Sequence, residues 1–203
     1  MDNARLVKQL LAWYDAARMW QDEAKDVERA LPALEQAAML DVAYEDIFDR
    51  LAIVYKQRGQ GSELAALLER RIERVTDPAQ RVQMEVQRGL ALVDLGDEDG
   101  ARRSLEAALQ EQPDHIEALR ALGDLCAKQK AWDGAEQAWV RLARLLTTPE
   151  EQRAVYTRLG ELYSVHAVNL SRAEVALKEV LKRAPNDGAT LEKLVEVYKR
   201  QND

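Results

Sequence analysis

The sequence predicts an all-α chain of repeated antiparallel helix pairs, about eleven helices in all, and three observations carry that prediction. The first is composition. Of 203 residues, 47% are hydrophobic and 32% charged but only 5% aromatic, with 9 Gly and 5 Pro. Ala, Leu, Glu, Arg, Gln and Val dominate, and most of these are strong helix formers. The second is spacing: Pro78, Pro113, Pro149 and Pro185 fall 35, 36 and 36 residues apart, the length of one helical hairpin. The third is recurrence at intervals of 71 and 72 residues, shown by Ala30, Ala101 and Ala173; Leu34, Leu105 and Leu177; Leu51, Leu122 and Leu194; and Tyr55, Cys126 and Tyr198. The larger repeat is therefore a pair of hairpins.

The prolines also mark where helices begin and end. Pro113 and Pro185 each follow an apolar run at helical spacing and read as stops. Pro78 and Pro149 follow Asp77 and Thr148, an N-cap residue and then proline at the first helical position, and read as starts. Pro32 falls in the first turn or two of its helix, where a missing donor costs little. These signals place repeats at about 4–43, 44–77, 78–115, 116–148 and 149–187, with a half repeat at 188–203, in a single array over residues 1–203.

Within the hairpins, small residues fall at about positions 8, 20 and 27 and large ones at about 4, 7, 11 and 24. From Val82 the matches are Gly89, Leu92, Gly96 at the turn, Ala101, Leu105, Ala108 and Pro113; Glu85 and Arg88 depart from the pattern. The next unit supplies Leu119, Leu122, Gly123, Cys126, Trp132, Ala135, Trp139 and Leu142, with Thr147 at the proline position. An earlier unit has Phe48, Leu51, Ala52, Tyr55 and Gly59, but Leu64 and Arg71 where small residues belong, so its second helix should pack less tightly. A later one has Tyr156, Leu159, Gly160, Tyr163, Ala173, Leu177 and Val180, with one extra residue that lengthens the connection near His166 to Leu170. In the first, Trp13, Ala16, Ala17 and Trp20 precede Ala30, Leu34 and Ala37. This pattern resembles the tetratricopeptide repeat over nearly the whole chain. The resemblance implies a right-handed α-solenoid whose inner face is lined by the first helix of each pair, with a peptide or helix of a partner lying in that groove.

Physical reasons support the columns. Gly inside a helix costs about 0.5–1 kcal/mol relative to Ala, so its recurrence at Gly89, Gly123 and Gly160 points to a close helix approach that repays the cost. Ala101, Ala135 and Ala173 face that approach from the second helix. Large residues such as Leu105, Leu122 and Trp139 fill the space between hairpins, each worth roughly 1.5–3 kcal/mol when fully buried.

Several function classes are disfavoured. A net charge of −7 with no Lys/Arg cluster removes the electrostatic term behind nucleic-acid binding. No apolar run approaches the roughly 20 residues of a membrane span, and the N-terminal stretch has an early Asp and interleaved charges where a signal peptide needs an apolar core. The lone Cys126 suits a reducing compartment, and the cytoplasm is the default. The acidic turn Leu95 to Gly100 puts Leu at the first position of a would-be calcium loop, so it reads as a turn. His115 and His166 are not paired at metal-ligand spacing, Cys126 sits in a packing column, and Trp132 and Trp139 sit in core columns. No catalytic residue, metal or cofactor is expected, and the chain reads as a non-catalytic interaction scaffold.

The resemblance places Asp46, Asp49, Ile53 and Lys56 on the inner face, then Gln83, Val86, Leu90 and Val93, then Glu117, Arg120, Asp124 and Ala127, then Ala154, Thr157, Glu161 and Ser164. Val86, Leu90 and Val93 form one apolar stripe at i, i+4 and i+7. Our reading is a groove for an apolar anchor, with Asp49, Asp124 and Glu161 selecting basic flanks. Asp49, Ile53, Val86, Leu90, Val93, Arg120, Asp124 and Glu161 are thus the candidate partner-binding residues; an alternative is that another helix covers the stripe. The carboxylate clamp of chaperone-tail adaptors is missing where Asp49, Ile53, Val86 and Leu90 stand. Two other readings are a regulatory domain of a larger enzyme and a structural element self-associating end to end through Leu194 and Tyr198; a monomer is expected otherwise. Leu194, Val195 and Val197 should leave apolar surface on the last helix, as in a piece of a longer array. Ala135→Leu should cost roughly 1–3 kcal/mol through overpacking; an unchanged melting temperature would show that the repeat register is wrong.

Overall fold

A computed structural model describes residues 3–44 and 46–202, without the Asn3 side chain. The limits expected for the array, Met1 and Asp203, lie outside the described residues. Among the described residues the chain forms eleven α-helices and no strand: α1 (Asn3–Arg18), α2 (Val27–Leu40), α3 (Ile47–Arg58), α4 (Gly61–Ile72), α5 (Pro78–Leu95), α6 (Glu98–Glu111), α7 (Ile116–Lys128), α8 (Trp132–Leu145), α9 (Pro149–Glu161), α10 (Leu170–Arg183) and α11 (Gly188–Asn202). The all-α fold class is that expected from composition. The chain divides into two compact units, Met1–Ser104 and Leu105–Asp203, with the boundary inside α6.

In the first unit each helix from α1 to α4 packs on its successor, around a core that includes Ala17, Leu34, Ile47, Leu51 and Leu68. Leu64, which stands where a small residue was expected, is itself buried in this core. In the second unit each helix from α7 to α10 packs on the next, around Leu119, Trp139, Leu142, Val155, Leu162 and Leu177. Pro78 and Pro149 open α5 and α9, while α6 and α10 end two residues before Pro113 and Pro185. Asp77 caps α5 by accepting from the Ala79 N–H at 3.3 Å.

Close approach within hairpins is visible at the small residues. Ala30, Ala101, Ala135 and Ala173 are all 0% exposed. A Cβ on Gly123 would lie 2.4 Å from Nε1 of Trp139, and one on Gly160 would lie 2.8 Å from Cδ2 of Leu177. These glycines make room for a large side chain of the second helix rather than for its backbone.

Every hairpin reverses through one residue with left-handed backbone: Lys25 (φ 55°), Gly59 (φ 66°), Gly96 (φ 78°), Lys130 (φ 59°) and Val168 (φ 46°). The first and last reversals share a further device. α1 runs into a π-helical turn, Met19–Glu23, and α9 into another, Leu162–His166. In both, the next N–H groups bond back to the turn, from Ala24 to Met19 and Asp26 to Trp20, and from Ala167 to Leu162 and Asn169 to Tyr163. Asp26 and Asn169 then cap the second helix by accepting from Arg29 N–H at 3.0 Å and Arg172 N–H at 3.1 Å. The extra residue expected near His166 is absorbed by this π turn.

Between hairpins, a tyrosine of a first helix, or of the π turn that continues it, reaches a glutamate on the preceding second helix. Tyr55 donates to Glu35 at 3.0 Å, Tyr163 to Glu136 at 2.9 Å and Tyr198 to Glu174 at 3.2 Å. Burial, then the Glu136 carboxylate, pushes the Tyr163 phenol up to about 12. On α11 the expected uncovered residues need correction. Leu194 and Val197 are buried against the core that includes α10, and the exposed apolar stripe is Leu191, Val195 and Tyr198. Leu194 is therefore unavailable for end-to-end pairing, because its side of α11 is the one that packs inward.

Val168 is β-branched and solvent-exposed, and a left-handed conformation costs such a residue roughly 1–2 kcal/mol. Val168→Gly should therefore raise stability by about 0.5–1 kcal/mol in urea titration. A raised folded-state phenol pKa means that the native chain keeps a proton the unfolded chain has released. Stability should fall as pH climbs from about 10 to about 12, and urea midpoints of Tyr163→Phe should fall less across that window than those of the parent.

Candidate functional site

On α3, helical spacing aligns Asp49, Ile53 and Lys56 on one exposed face, with Ile53 53% exposed. On α5 the expected stripe is only partly at the surface. Val86 is 2% exposed, while Leu90 and Val93 are half-buried. Of the expected stripe α5 therefore offers Leu90 and Val93, since packing of the chain around Val86 has already removed it from solvent.

Leu90 sits in a cavity of about 430 Å³ in the first unit. Tyr55 and Lys56 of α3 line it, with Gly59 at the turn, Gly61 and Leu64 of α4, and Gln87, Ala91, Asp94 and Leu95 of α5. The local sequence explains this placement. Gly59 ends α3 in the left-handed region and accepts the sharp reversal, and Gly61 starts α4 without a side chain, so that Leu95 lies 3.2 Å from where its Cβ would be. Burial and a hydrogen bond to Glu35 raise the Tyr55 phenol well above its ordinary value, so it stays a neutral donor in the lining of this pocket.

A second cavity, about 230 Å³, lies in the second unit and is lined by Ala127, Trp132, Trp139, Arg158, Glu161, Leu162 and His166. The His166 ring stacks on Trp132, with centroids 3.9 Å apart and planes 7° from parallel. Asp124 accepts from Trp139 Nε1 at 3.2 Å and from Arg158 Nη1 at 2.8 Å, and the Arg158 guanidinium lies 5.9 Å from the Trp139 ring centre. One turn earlier on α7, Arg120 pairs with Glu151 of α9 at 3.0 Å. Arg120 and Asp124 thus join the first helices of adjacent hairpins to each other, and Glu161 is the expected residue that opens onto the pocket.

The two cavities occupy one place in the larger repeat. Lys56, Gly61, Gln87, Leu90, Ala91 and Leu95 line the first, and Ala127, Trp132, Arg158, Glu161, Leu162 and His166, each 71 residues later, line the second. Gly59 and Lys130, the left-handed reversals beside them, share that spacing. Of the lining, Lys56, Leu90, Ala127 and Glu161 are residues expected on the inner face, whereas Trp132 was expected in the core and His166 as an unpaired connection residue, and Asp94 and Leu95 were not expected at a site. The signal was present in the 71-residue spacing of Gly61 to Trp132 and Leu95 to His166, which lie outside the inward positions of the first helices.

Among the described residues no group of three His, Cys, Asp or Glu side chains is arranged to hold a metal ion, and Cys126 is buried beside Gly134, 2.9 Å from where a Cβ on that residue would be. His115 accepts from the Ala118 N–H at 3.3 Å and serves as the N-cap of α7. Asp97, in the acidic turn, accepts from Gly100 N–H at 2.9 Å at the start of α6. No helix among the described residues is long and apolar enough to cross a membrane.

Residues 86–148 match the tetratricopeptide repeat family. Among solved structures the fold is similar to that of YrrB, described as a TPR protein with an unusual peptide-binding site, at 18% identity over 91% of this chain and 92% of that one, with a TM-score of 0.64. It is also similar to MamA, at 15% identity over 90% of this chain and 95% of that one, TM-score 0.65. The C-terminal part of a TPR repeat-containing protein from Cytophaga hutchinsonii aligns at 14% identity over 91% of this chain and 73% of that one, TM-score 0.66. At such identities the likeness is one of fold. No curated protein matches the sequence.

Proposed function

For a chain that carries tetratricopeptide repeats across residues 86–148 and shares the fold of tetratricopeptide-repeat proteins over 91% of its length, we propose a non-catalytic role as a protein-interaction scaffold. It binds an extended or helical segment of a partner along the faces of its first helices. The observation that carries this reading is the cavity around Leu90. Leu64, Leu90, Ala91 and Leu95 give it apolar walls, Lys56 and Asp94 give it charged neighbours, and Ile53 and Asp49 continue the exposed face along α3. Such a surface fits an apolar anchor side chain, with Asp49 and Asp94 favouring basic residues beside it. Val93 extends the apolar area on α5, and Glu161 repeats the acidic element in the second unit. The peptide-binding site ascribed to YrrB gives the reading a parallel in the same fold. A single buried thiol suits the reducing cytoplasm, where the chain acts as a monomer.

Leu90→Glu tests the proposal, because it puts a carboxylate into the apolar cavity at a residue only half-buried. Helicity and melting temperature should stay close to those of the parent. Affinity capture from lysate, read by mass spectrometry for parent and variant side by side, should return proteins that the variant loses. Identical sets of captured proteins would place the site elsewhere.

A further inference from the structure

Because the two cavities hold the same place in the larger repeat, the residues exchanged between them isolate differences in chemistry from differences in frame. Where the first has Gly61 and Leu95, the second has Trp132 stacked on His166. Lys56 is replaced by Ala127, and Leu90 by Glu161. An aliphatic pocket edged by Lys56 and Asp94 has become an aromatic-walled pocket edged by Arg158 and Glu161.

The charge balance there favours a cation. Arg158 enters at the place of Gln87, but its guanidinium is paired with Asp124 at 2.8 Å and lies over Trp139, so the two charges offset each other. Glu161 has no side-chain ion pair or hydrogen bond among the described residues. A carboxylate beside aromatic faces attracts a cation through its own charge and through the ring quadrupoles. An acidic side chain would be repelled by both, and an aliphatic one would desolvate Glu161 without giving it a partner. At about 230 Å³ the space falls below the roughly 300–1,000 Å³ of small-molecule sites and suits one long side chain.

We propose that the pocket between α7, α8 and the end of α9 receives a lysine or arginine side chain of a protein partner, held by Glu161 and by the Trp132 ring that His166 fixes in place. This rests on the protein-binding role proposed above and names the chemistry of one of its subsites.

The test uses the full ¹⁵N-labelled chain and four capped tripeptides, acetyl-Gly-X-Gly-amide with X as Arg, Lys, norleucine or Glu, reading the tryptophan indole N–H signals by NMR. The Arg and Lys peptides should shift Trp132 and Trp139 saturably while Trp13 and Trp20 stay in place. Glu161→Gln should weaken that binding roughly three- to tenfold with the rest of the spectrum unchanged. Equal shifts from norleucine, no effect of Glu161→Gln, or no shift with Arg or Lys would each overturn the proposal. Loss of captured partners from Leu90→Glu with no response to the Arg peptide would overturn this inference alone. A response to the Arg peptide as stated, from a chain that captures no protein, would uphold the pocket's chemistry and overturn the scaffold reading.

Discussion

Everything in this molecule depends on how closely the two helices of a hairpin approach. Ala30, Ala101, Ala135 and Ala173 are sealed from solvent, and at Gly123 and Gly160 the missing Cβ is the space occupied by Trp139 and Leu177. Helix packing distance follows from the side chains at the contact, so these small residues set the spacing on which every later contact is built. The large neighbours then lock one hairpin to the next, through apolar contact and through tyrosines that donate to glutamates on the preceding helix. A tyrosine in this role carries apolar area and places its hydroxyl where a buried polar group finds a partner.

The two pockets follow from that frame. Each lies where a first helix has just ended and the chain turns through a left-handed residue, so its walls come from a first helix, the start of its own second helix, and the first helix of the next hairpin. A pocket built this way can change chemistry without changing position, since most of its lining residues lie away from the small-residue contact, Trp139 being the one that serves both. Gly61 and Leu95 in one copy, and Trp132 and His166 in the other, occupy the same frame with different chemistry. The second copy also carries a π turn at Leu162–His166, which contributes His166 as its final residue.

Much of the architecture was legible because its constraints are local. Proline fixes helix starts and stops wherever it stands, and a small residue recurring at one helical position announces a close approach. Which side of a helix a neighbour covers is not local. Val86 and Leu90 are one turn apart on the same face, yet one is buried and the other lines a cavity. The same holds for α11, where Leu194 and Val197 turn inward and Val195 outward. Arg120 and Asp124 read as surface charges for a ligand, but each meets an opposite charge about 31 to 34 residues onward, on the next first helix. Pairing across hairpins depends on rotamers and register that spacing alone does not encode. Trp132 reads as a core residue and His166 as an unpaired residue of a connection, because their stack needs both the second helix and the π turn in place.

The central claim is that tight packing at the small-residue column sets the frame, and a double-mutant cycle between Gly123→Ala and Trp139→Leu tests it most directly. In the parent background the added methyl meets the indole and should cost roughly 1–3 kcal/mol in urea unfolding. In the Trp139→Leu background that cost should largely vanish, giving a coupling of about 1 kcal/mol or more. A methyl tolerated equally in both backgrounds, with coupling near zero, would contradict the account.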